Sequence, residues 1–201
     1  FEEKAKTVLV ATGVHPRELG VPGEKEFRNK GVSYCTVCDG PLFGGQVVAT
    51  IGGGNSALES AIMMAGIASK VYLINKNPQF KGEKVLIEKV SSNPKAEIIY
   101  EAKTTAIKGD NFVSNLEYQD KSGETHKLEV KGIFVHIGQI PNSGFVSGVE
   151  LDEVKQIKVN LRGETNIPGL YAAGDVTDIP YKQIVIAAGQ GVTALLSAVD
   201  Y

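Results

Sequence analysis

The sequence predicts an α/β fold, in which helices cover a parallel sheet and a small antiparallel insertion interrupts the pattern. Short apolar segments rich in β-branched residues alternate with segments of helical periodicity. A glycine-rich stretch at 52–57 stands between one such strand and one such helix. Three segments between 104 and 130 instead alternate apolar and polar residues, which is typical of antiparallel strands with one exposed face.

Strands and helices follow one another over most of the chain. The strands are expected at 7–13, 46–51, 71–74, 97–100, 132–137 and 167–175. The helices are expected at 55–69, 84–92 and 182–198. The Pro- and Gly-rich segment 14–32 is interpreted as an irregular connection. Because strand–helix–strand units take right-handed crossovers, this order implies a parallel sheet.

The insertion is expected to be an antiparallel meander of three strands. They are predicted at 104–108, 113–120 and 124–130. Turn-forming residues at 110–111 and 121–123 separate the three segments.

Composition narrows the class of protein. The chain has 201 residues, of which 42% are apolar, so it is long enough for one large domain or for one domain with parts of a second. Its net charge of −2 and its scattered lysines form no basic stripe, which argues against nucleic acid as a partner. No apolar run approaches the ~20 residues that a membrane-spanning helix requires, so no membrane partner is expected either.

The two ends suggest a piece of a longer chain. The sequence begins at Phe1 without an initiating Met or a targeting segment, and it ends within a helical pattern. We therefore expect a fragment, and a cytoplasmic location.

The glycine-rich stretch fits the dinucleotide-binding pattern G-x-G-x-x-G/A, since it follows a strand and opens a helix. The first glycine permits a tight turn, the second lets the backbone approach a pyrophosphate, and the final alanine lets helix and strand pack closely. The amide groups at the start of the helix attract phosphate. The alternative is a glycine-rich turn without a ligand. The residues expected to bind the dinucleotide are Gly52, Gly54, Asn55, Ser56 and Ala57.

The end of the next strand bears on which dinucleotide binds. An acidic residue there would accept from the ribose 2′-OH of NAD, whereas a cation would pair with the 2′-phosphate of NADP. Here Asn75 and Lys76 occupy this place and Lys81 follows, which favours NADPH over NADH. The alternative is that both lysines are solvated surface charges.

Cys35 and Cys38 are separated by two residues, a spacing that indicates a redox pair. A zinc site would need about four ligands, and His15, His126 and His136 are not at paired spacing, so no metal is expected. Asp39 follows the pair directly and could pass a proton to a departing thiolate. Its side chain could instead cap an Asx turn at Asp39-Gly40-Pro41, and both roles could hold together.

Four motifs together resemble the low-molecular-weight thioredoxin reductase family. They are Cys35-Thr36-Val37-Cys38-Asp39-Gly40, Ile51-Gly52-Gly53-Gly54-Asn55-Ser56-Ala57, Gly138-Gln139-Ile140-Pro141-Asn142 and Ala173-Gly174-Asp175. The residues around the cysteine pair and at 180–183 are similar in particular to the alkyl hydroperoxide reductase flavoprotein branch of that family.

The resemblance implies a Rossmann-like three-layer NAD(P)H-binding domain at 16–139 that carries the cysteine pair. It also implies that 1–15 and 140–201 are parts of a second, FAD-binding domain. Further cofactor contacts are then expected from Thr12, Gly13, Gly138, Gly174, Asp175, Lys182, Gln183 and Ile184.

The same resemblance implies an activity. NAD(P)H would reduce FAD, and the flavin would reduce the Cys35–Cys38 disulfide. Cys38 would face the flavin, Asp39 would protonate the outgoing thiol, and Cys35 would attack a disulfide of thioredoxin or of a thioredoxin-like domain. A homodimer is expected for the full-length protein. The alternatives are service to a peroxiredoxin, or a nucleotide-binding module without turnover.

Two departures from the family pattern bear on these expectations. No second G-x-G-x-x-G for the FAD pyrophosphate lies within the sequence, so this piece alone is expected to bind FAD poorly. The segment 75–77 matches neither the basic stretch of NADPH-using thioredoxin reductases nor the acidic residue of the NADH-using hydroperoxide branch. Lys81 stands where both branches have Arg or Lys, so it does not discriminate between the two nucleotides.

Overall fold

A computed structural model of the protein describes residues 3–201. The chain divides into two compact units. One unit combines the segment that ends at His15 with Gln139–Tyr201, and the other is Pro16–Gly138. The expected division differs from these bounds by one residue, because it placed residue 139 in the middle segment.

The elements within residues 3–201 are short, and strands outnumber helices. The strands are β1 (Val8–Val10), β2 (Val14–Pro16), β3 (Val32–Ser33), β4 (Val47–Ile51), β5 (Lys70–Ile74), β6 (Ala96–Ile99), β7 (Lys103–Gly109), β8 (Val113–Gln119), β9 (Thr125–Glu129), β10 (Gly132–Val135), β11 (Gln139–Pro141) and β12 (Leu170–Ala172). The α-helices are α1 (Thr36–Asp39), α2 (Asn55–Ile67), α3 (Lys84–Ser91) and α4 (Ile184–Val199).

The unit Pro16–Gly138 is built on a five-stranded parallel sheet in the order β3-β10-β4-β5-β6. Strand β4 shows why the unit has three layers. Val48 packs with helix α2, whereas Ala49 and Ile51 pack with the apolar residues of the meander. Since side chains alternate across a strand, consecutive apolar residues supply two cores at once. The predicted α/β fold with a parallel sheet is confirmed.

Helix α2 covers one face of that sheet. Its buried residues include Ala57, Ala61 and Ala65, whose small side chains let the helix approach the strands, while Leu58 and Met64 fill the space between them. The helix ends at Ile67, two residues before the expected end.

Strands β7, β8 and β9 cover the other face as an antiparallel meander, as predicted. Ile107, Val113 and Leu116 from this meander are buried in the same core as Ile133 of β10. The register of β7 against β8 shifts between Thr104 and Ala106, so the β7 strand is irregular there.

Two predictions for the start of the chain were wrong in extent. The first strand covers only Val8–Val10 of the expected 7–13, and the connection 14–32 contains β2 and the first residue of β3. β2 pairs with β11, and β3 pairs with β10. Strands of two or three residues show no periodicity, and their partners lie about a hundred residues away, so local sequence could not reveal them.

The other unit is smaller and centres on β1 paired in parallel with β12. Val10, Ile157, Ala172 and Val176 form its buried core. Helix α4 packs on this pair of strands, and the buried Tyr171 hydroxyl donates to the Ser197 carbonyl at 3.1 Å. The helix begins at Ile184 rather than at 182, so Lys182 and Gln183 precede it. Among the residues that the structure describes, no helix is long and apolar enough to cross a membrane.

Candidate dithiol and dinucleotide sites

The two cysteines form a disulfide at the start of the short helix α1. Cys35 is the N-cap of this helix, and its Sγ accepts from the Cys38 amide at 3.2 Å. Cys38 and Val37 are exposed, whereas Cys35 is half-buried. Because the backbone turns helically between the two residues, both sulfurs lie on one side of the turn. A cysteine at a helix N-terminus is a favourable place for a reactive thiol.

Asp39 is held by a serine that the sequence reasoning did not identify. The Ser33 hydroxyl donates to Asp39 Oδ2 at 2.6 Å, and the Cys35 amide donates to Ser33 Oγ at 3.0 Å. Ser33 is buried at the end of β3. The Asp39 side chain makes no capping bond to the 3₁₀ turn Gly40–Phe43, so the alternative role as an Asx-turn residue was wrong. No local pattern marks Ser33, since its role depends on how β3 approaches α1.

A chain of buried hydroxyl groups lies beneath the disulfide. Thr36, which stands between the cysteines, bonds Ser60 Oγ at 2.6 Å and His136 Nε2 at 2.8 Å. Ser60 of α2 also bonds Thr50 of β4 at 3.3 Å. The His136 ring is half-buried where it meets Thr36. Burial lowers the pKa of His136 from its ordinary value of 6.5.

The pKa of His136 predicts a pH dependence of stability. Between the lowered pKa of the folded protein and the ordinary value of 6.5, the unfolded chain binds more protons than the folded one. The free energy of unfolding should therefore be greatest above 6.5 and should decrease as the pH falls through this window. Urea unfolding across it should show a smaller decrease for His136→Gln than for the wild type. Equal slopes for the two proteins would contradict this assignment.

The loop before the disulfide is fixed by a buried carboxylate. Glu24 is 1% exposed and accepts from the amides of Leu19 at 2.8 Å and Gly20 at 2.7 Å, and from the Tyr34 hydroxyl at 2.9 Å. Burial and the neighbouring Glu24 raise the pKa of the Tyr34 phenol above its ordinary value of 10.0. Since Tyr34 directly precedes Cys35, Glu24 connects this loop to the start of the dithiol helix.

Replacing Glu24 with glutamine should lower the free energy of unfolding by about 2–3 kcal/mol. The amides of Leu19 and Gly20 and the Tyr34 hydroxyl would then face a neutral amide group, whose NH₂ cannot accept a hydrogen bond, so at least one of these donors would lose its partner. Urea unfolding measures this loss. Glu26→Gln, at an exposed position two residues away, is the matched control and should differ from the wild type by less than about 0.5 kcal/mol. If both variants lose equally little stability, Glu24 does not stabilise the loop as described.

The glycine-rich loop joins β4 to α2 and has the geometry of a phosphate cradle. Gly52 has φ +148°, and a Cβ there would lie 2.1 Å from the carbonyl oxygen of His136. A Cβ on Gly54 would meet no atom within 4 Å, so the space above this backbone is open. Gly54 is the N-cap of α2 and offers no side chain to its amides. Among the described residues, the Asn55 and Ser56 amides therefore remain free to bind an anion.

The Asn75 side chain at the end of β5 was expected to contact the cofactor, but it forms hydrogen bonds within its own loop. Asn75 is 1% exposed, its Oδ1 accepts from the Asn77 amide at 3.1 Å, and its Nδ2 donates to the Gln79 carbonyl at 3.0 Å. The side chain thus shapes its own loop. Lys76 and Lys81 are both exposed. The Lys81 amide donates to the Gly53 carbonyl at 2.8 Å, which places this lysine beside the glycine-rich loop.

The smaller unit contains a cleft of about 490 Å³. Its lining includes Gly13, Gly174, Asp175, Lys182, Gln183 and Ile184. Lys182 Nζ donates to the Thr177 carbonyl at 2.6 Å, and partial burial lowers its pKa while Asp175 opposes this effect. Thr12 is not among the residues that line the cleft. Its hydroxyl donates to the Asn142 carbonyl at 2.7 Å. Gly138, expected among the cofactor residues, belongs to the other unit, where its carbonyl accepts from the Arg17 amide.

One cluster of possible metal ligands lies in the turn between β8 and β9. Asp120, Glu124 and His126 place one ligand atom each within 4.8 Å of one another. The Asp120 carboxylate already accepts from Ser122 Oγ at 2.6 Å and pairs with His126 Nε2 at 2.8 Å. The hydrogen bond from Ser122, which has the largest effect, and the contact with His126 hold the pKa of Asp120 below its usual range. The hydrogen bonds of this turn explain why the three side chains lie close together.

Known proteins with similar sequences are redox enzymes. The chain is 49% identical over 201 residues to the F subunit of alkyl hydroperoxide reductase from Escherichia coli, covering 98% of this chain and 39% of that protein. It is 46% identical over 200 residues to a Bacillus subtilis protein named NADH dehydrogenase, with the same shares covered. The chain thus spans about two fifths of the length of these relatives.

Solved structures and a family description agree with these relatives. Thioredoxin reductase of T. acidophilum has a TM-score of 0.83 at 41% identity, covering 98% of this chain and 66% of that one. The Lactococcus lactis thioredoxin reductase has a TM-score of 0.83 at 34% identity, covering 96% of this chain and 65% of that one. Residues 1–191 match the family described as pyridine nucleotide-disulphide oxidoreductase. The chain therefore belongs to the pyridine nucleotide-disulphide oxidoreductases, and within them to class II.

Proposed function

We propose that this chain supplies the dinucleotide-binding and dithiol unit of a flavin-dependent disulfide reductase. One observation carries the proposal. The disulfide helix α1 and the uncapped glycine-rich loop belong to one compact unit, and Thr36 joins α1 to the helix that this loop opens through a hydrogen bond of 2.6 Å to Ser60. A dinucleotide site and a redox pair on one rigid unit suit an enzyme that passes electrons from a nicotinamide to a disulfide.

The residues present fit the two cofactors that the family implies. The free amides of Asn55 and Ser56 and the open space at Gly54 suit a dinucleotide pyrophosphate. The cleft at Asp175 combines a carboxylate, the Lys182 ammonium and the start of α4, which suit the hydroxyls and the polar ring edge of part of FAD. A bound flavin would supply two-electron transfer between the nicotinamide and the disulfide.

The chain's own residues would then carry out exchange with a protein disulfide. Reduction of the Cys35–Cys38 bond takes up two electrons and two protons, and Asp39, held by Ser33 beside the pair, is placed to deliver one proton to a departing thiolate. Cys35 as thiolate attacks one sulfur of the partner disulfide and releases the other as a thiolate. Cys38 then attacks the mixed disulfide, which restores the Cys35–Cys38 bond and frees the partner as a dithiol.

The partner that we propose is thioredoxin or a thioredoxin-like domain, supported by the solved reductases at TM-score 0.83. The second candidate is a peroxiredoxin system, which the 49% identity to the Escherichia coli alkyl hydroperoxide reductase protein favours. Both use the same exchange chemistry at Cys35. Comparing reduction of the two partner classes by the same flavin-loaded protein distinguishes them.

For the nicotinamide we propose NADPH, because Asn75, Lys76 and Asn77 follow β5 in place of an acidic residue, and the two lysines nearby are exposed. The relative named NADH dehydrogenase favours NADH instead. Lys76→Gln should weaken NADPH binding to the chain by about fivefold and leave NADH binding unchanged. Lys89→Gln, in the last turn of α3, is the matched control. Equal binding of both nucleotides by wild type would refute the NADPH assignment.

The decisive test is an anaerobic mixture of the full-length, flavin-loaded protein with NADPH or NADH, followed by counting of the free thiols at Cys35 and Cys38. The proposal expects two new thiols per chain, from Cys35 and Cys38, because one disulfide takes up one hydride equivalent. If the nucleotide binds and no thiols are released, the chain is a nucleotide-binding module without turnover.

A further inference from the structure

We infer that His136 is a positioning residue for the dithiol, and that it acts through Thr36 to hold Cys35 and Cys38 in the arrangement that closes their disulfide. The inference rests on the proposed function, because it assigns a role in the redox cycle of the same cysteine pair. Thr36 lies within the cysteine motif, whereas His136 belongs to neither the cysteine motif nor the glycine-rich loop from which that function was argued.

Thr36 is the buried residue of helix α1, and its side chain anchors the helix to the interior of the unit. It is the first residue of α1, directly after the N-cap Cys35, and it is 5% exposed while its neighbour Val37 is 75% exposed. The helix has only four residues, so it has little stability of its own and takes its position from contacts with other elements. The Thr36 hydroxyl gives the helix a buried hydrogen bond, to the Ser60 hydroxyl of α2.

That hydroxyl has two partners on different elements. Ser60 Oγ, 2.6 Å away, belongs to α2, and His136 Nε2, 2.8 Å away, follows directly after β10. His136 is in turn fixed by its backbone, since its amide donates to the Ile51 carbonyl at 2.8 Å. The imidazole is thus held between the end of the sheet and the dithiol helix. Thr36 and Ser60 are buried and His136 is half-buried, so their hydrogen bonds are shielded from much of the solvent and hold these side chains in place.

The anchor at Thr36 affects the equilibrium between the disulfide and dithiol forms of Cys35 and Cys38. With Thr36 held, the turn between Cys35 and Cys38 keeps both sulfurs at bonding separation, as they are in this structure. Without the anchor the turn is free to open once the bond is reduced, so closing the disulfide again costs more conformational entropy. Loss of the anchor should therefore favour the dithiol over the disulfide.

The test is the equilibrium constant for exchange of the Cys35–Cys38 pair with reduced and oxidised glutathione, measured on the 201-residue chain. Thr36→Val, which replaces the hydroxyl with a methyl group, and His136→Phe, which replaces the imidazole with a ring that has no hydrogen-bonding nitrogen, should each shift the equilibrium toward the dithiol by about fivefold. Thr36→Ser and His136→Gln retain a hydrogen-bonding group and should lie within about twofold of the wild type.

A double-mutant cycle distinguishes positioning from general destabilisation. If His136 acts through Thr36, the double variant should shift the equilibrium no further than either single variant. A merely structural role would lower the free energy of unfolding of the oxidised and reduced forms alike and leave the exchange constant unchanged. That outcome overturns the inference alone. A wild-type chain that exchanges no disulfide with glutathione would overturn the proposed function as well.

Discussion

Replacing Cys38 with serine should abolish reduction of a protein disulfide by the flavin-loaded protein, with turnover lower by about three orders of magnitude or more. Serine cannot close the bond to Cys35, so the pair can neither take up two electrons nor resolve a mixed disulfide. Cys35→Ser should be equally severe. The two cysteines act as a unit, so the double variant should be no worse than either single one.

Hydride uptake provides the control for this experiment. Cys38 and Cys35 contribute nothing to the phosphate cradle at Gly54, so flavin bleaching by the nicotinamide should proceed at nearly the wild-type rate in both serine variants. Stopped-flow absorbance follows the bleaching, and thioredoxin reduction follows the turnover. Turnover that survives in Cys38→Ser would refute the dithiol mechanism, and loss of both signals would indicate a damaged fold instead.

Replacing Gly52 with alanine should lower the free energy of unfolding by about 3–5 kcal/mol and remove detectable dinucleotide binding. The added Cβ would lie 2.1 Å from the His136 carbonyl oxygen and 2.8 Å from Ala57 Cβ, and the φ of +148° disfavours any side chain. Neither neighbour can yield easily, because the oxygen belongs to the backbone and Ala57 is fully buried. The junction of β4 and α2 would have to open.

Gly54→Ala is the matched comparison within the same loop. A Cβ at this position meets no atom within 4 Å and φ is −105°, so the stability should change by less than about 1 kcal/mol. The methyl group would nevertheless occupy the space where the pyrophosphate must approach the backbone, and NADPH affinity should fall by about tenfold or more. Urea unfolding and calorimetric titration measure the two effects. Wild-type affinity in Gly54→Ala would show that this loop is not the phosphate cradle.

Much of the larger unit could be predicted because its signals are local. The apolar run of β4, the glycine-rich loop and the helical spacing of α2 lie within about twenty consecutive residues, and each fixes the backbone of the next. The meander could also be predicted, since alternation and turn residues both mark β8 between its neighbours. The spacing of Cys35 and Cys38 likewise indicates a disulfide by itself.

The residues that surround the dithiol could not be predicted in this way. Ser33, Ser60 and His136 reach the helix α1 from three different elements, and the separation of Thr36 from His136 is 100 residues. Asn75 was expected to face a ribose, but its amide is buried in its own loop. A single serine, asparagine or histidine has no characteristic pattern, because its role depends on which groups the fold brings within hydrogen-bond distance.

By itself, then, the sequence determined the α/β class, the closely spaced cysteine pair and the glycine-rich loop between β4 and α2, since local spacing encodes each of them. Only the tertiary structure decided how the pair is held. It placed Ser33 against Asp39 at 2.6 Å and the Thr36 hydroxyl between Ser60 and His136. These contacts arise where the carboxyl ends of parallel strands meet, and that meeting is a property of strand order, which no stretch of neighbouring residues contains.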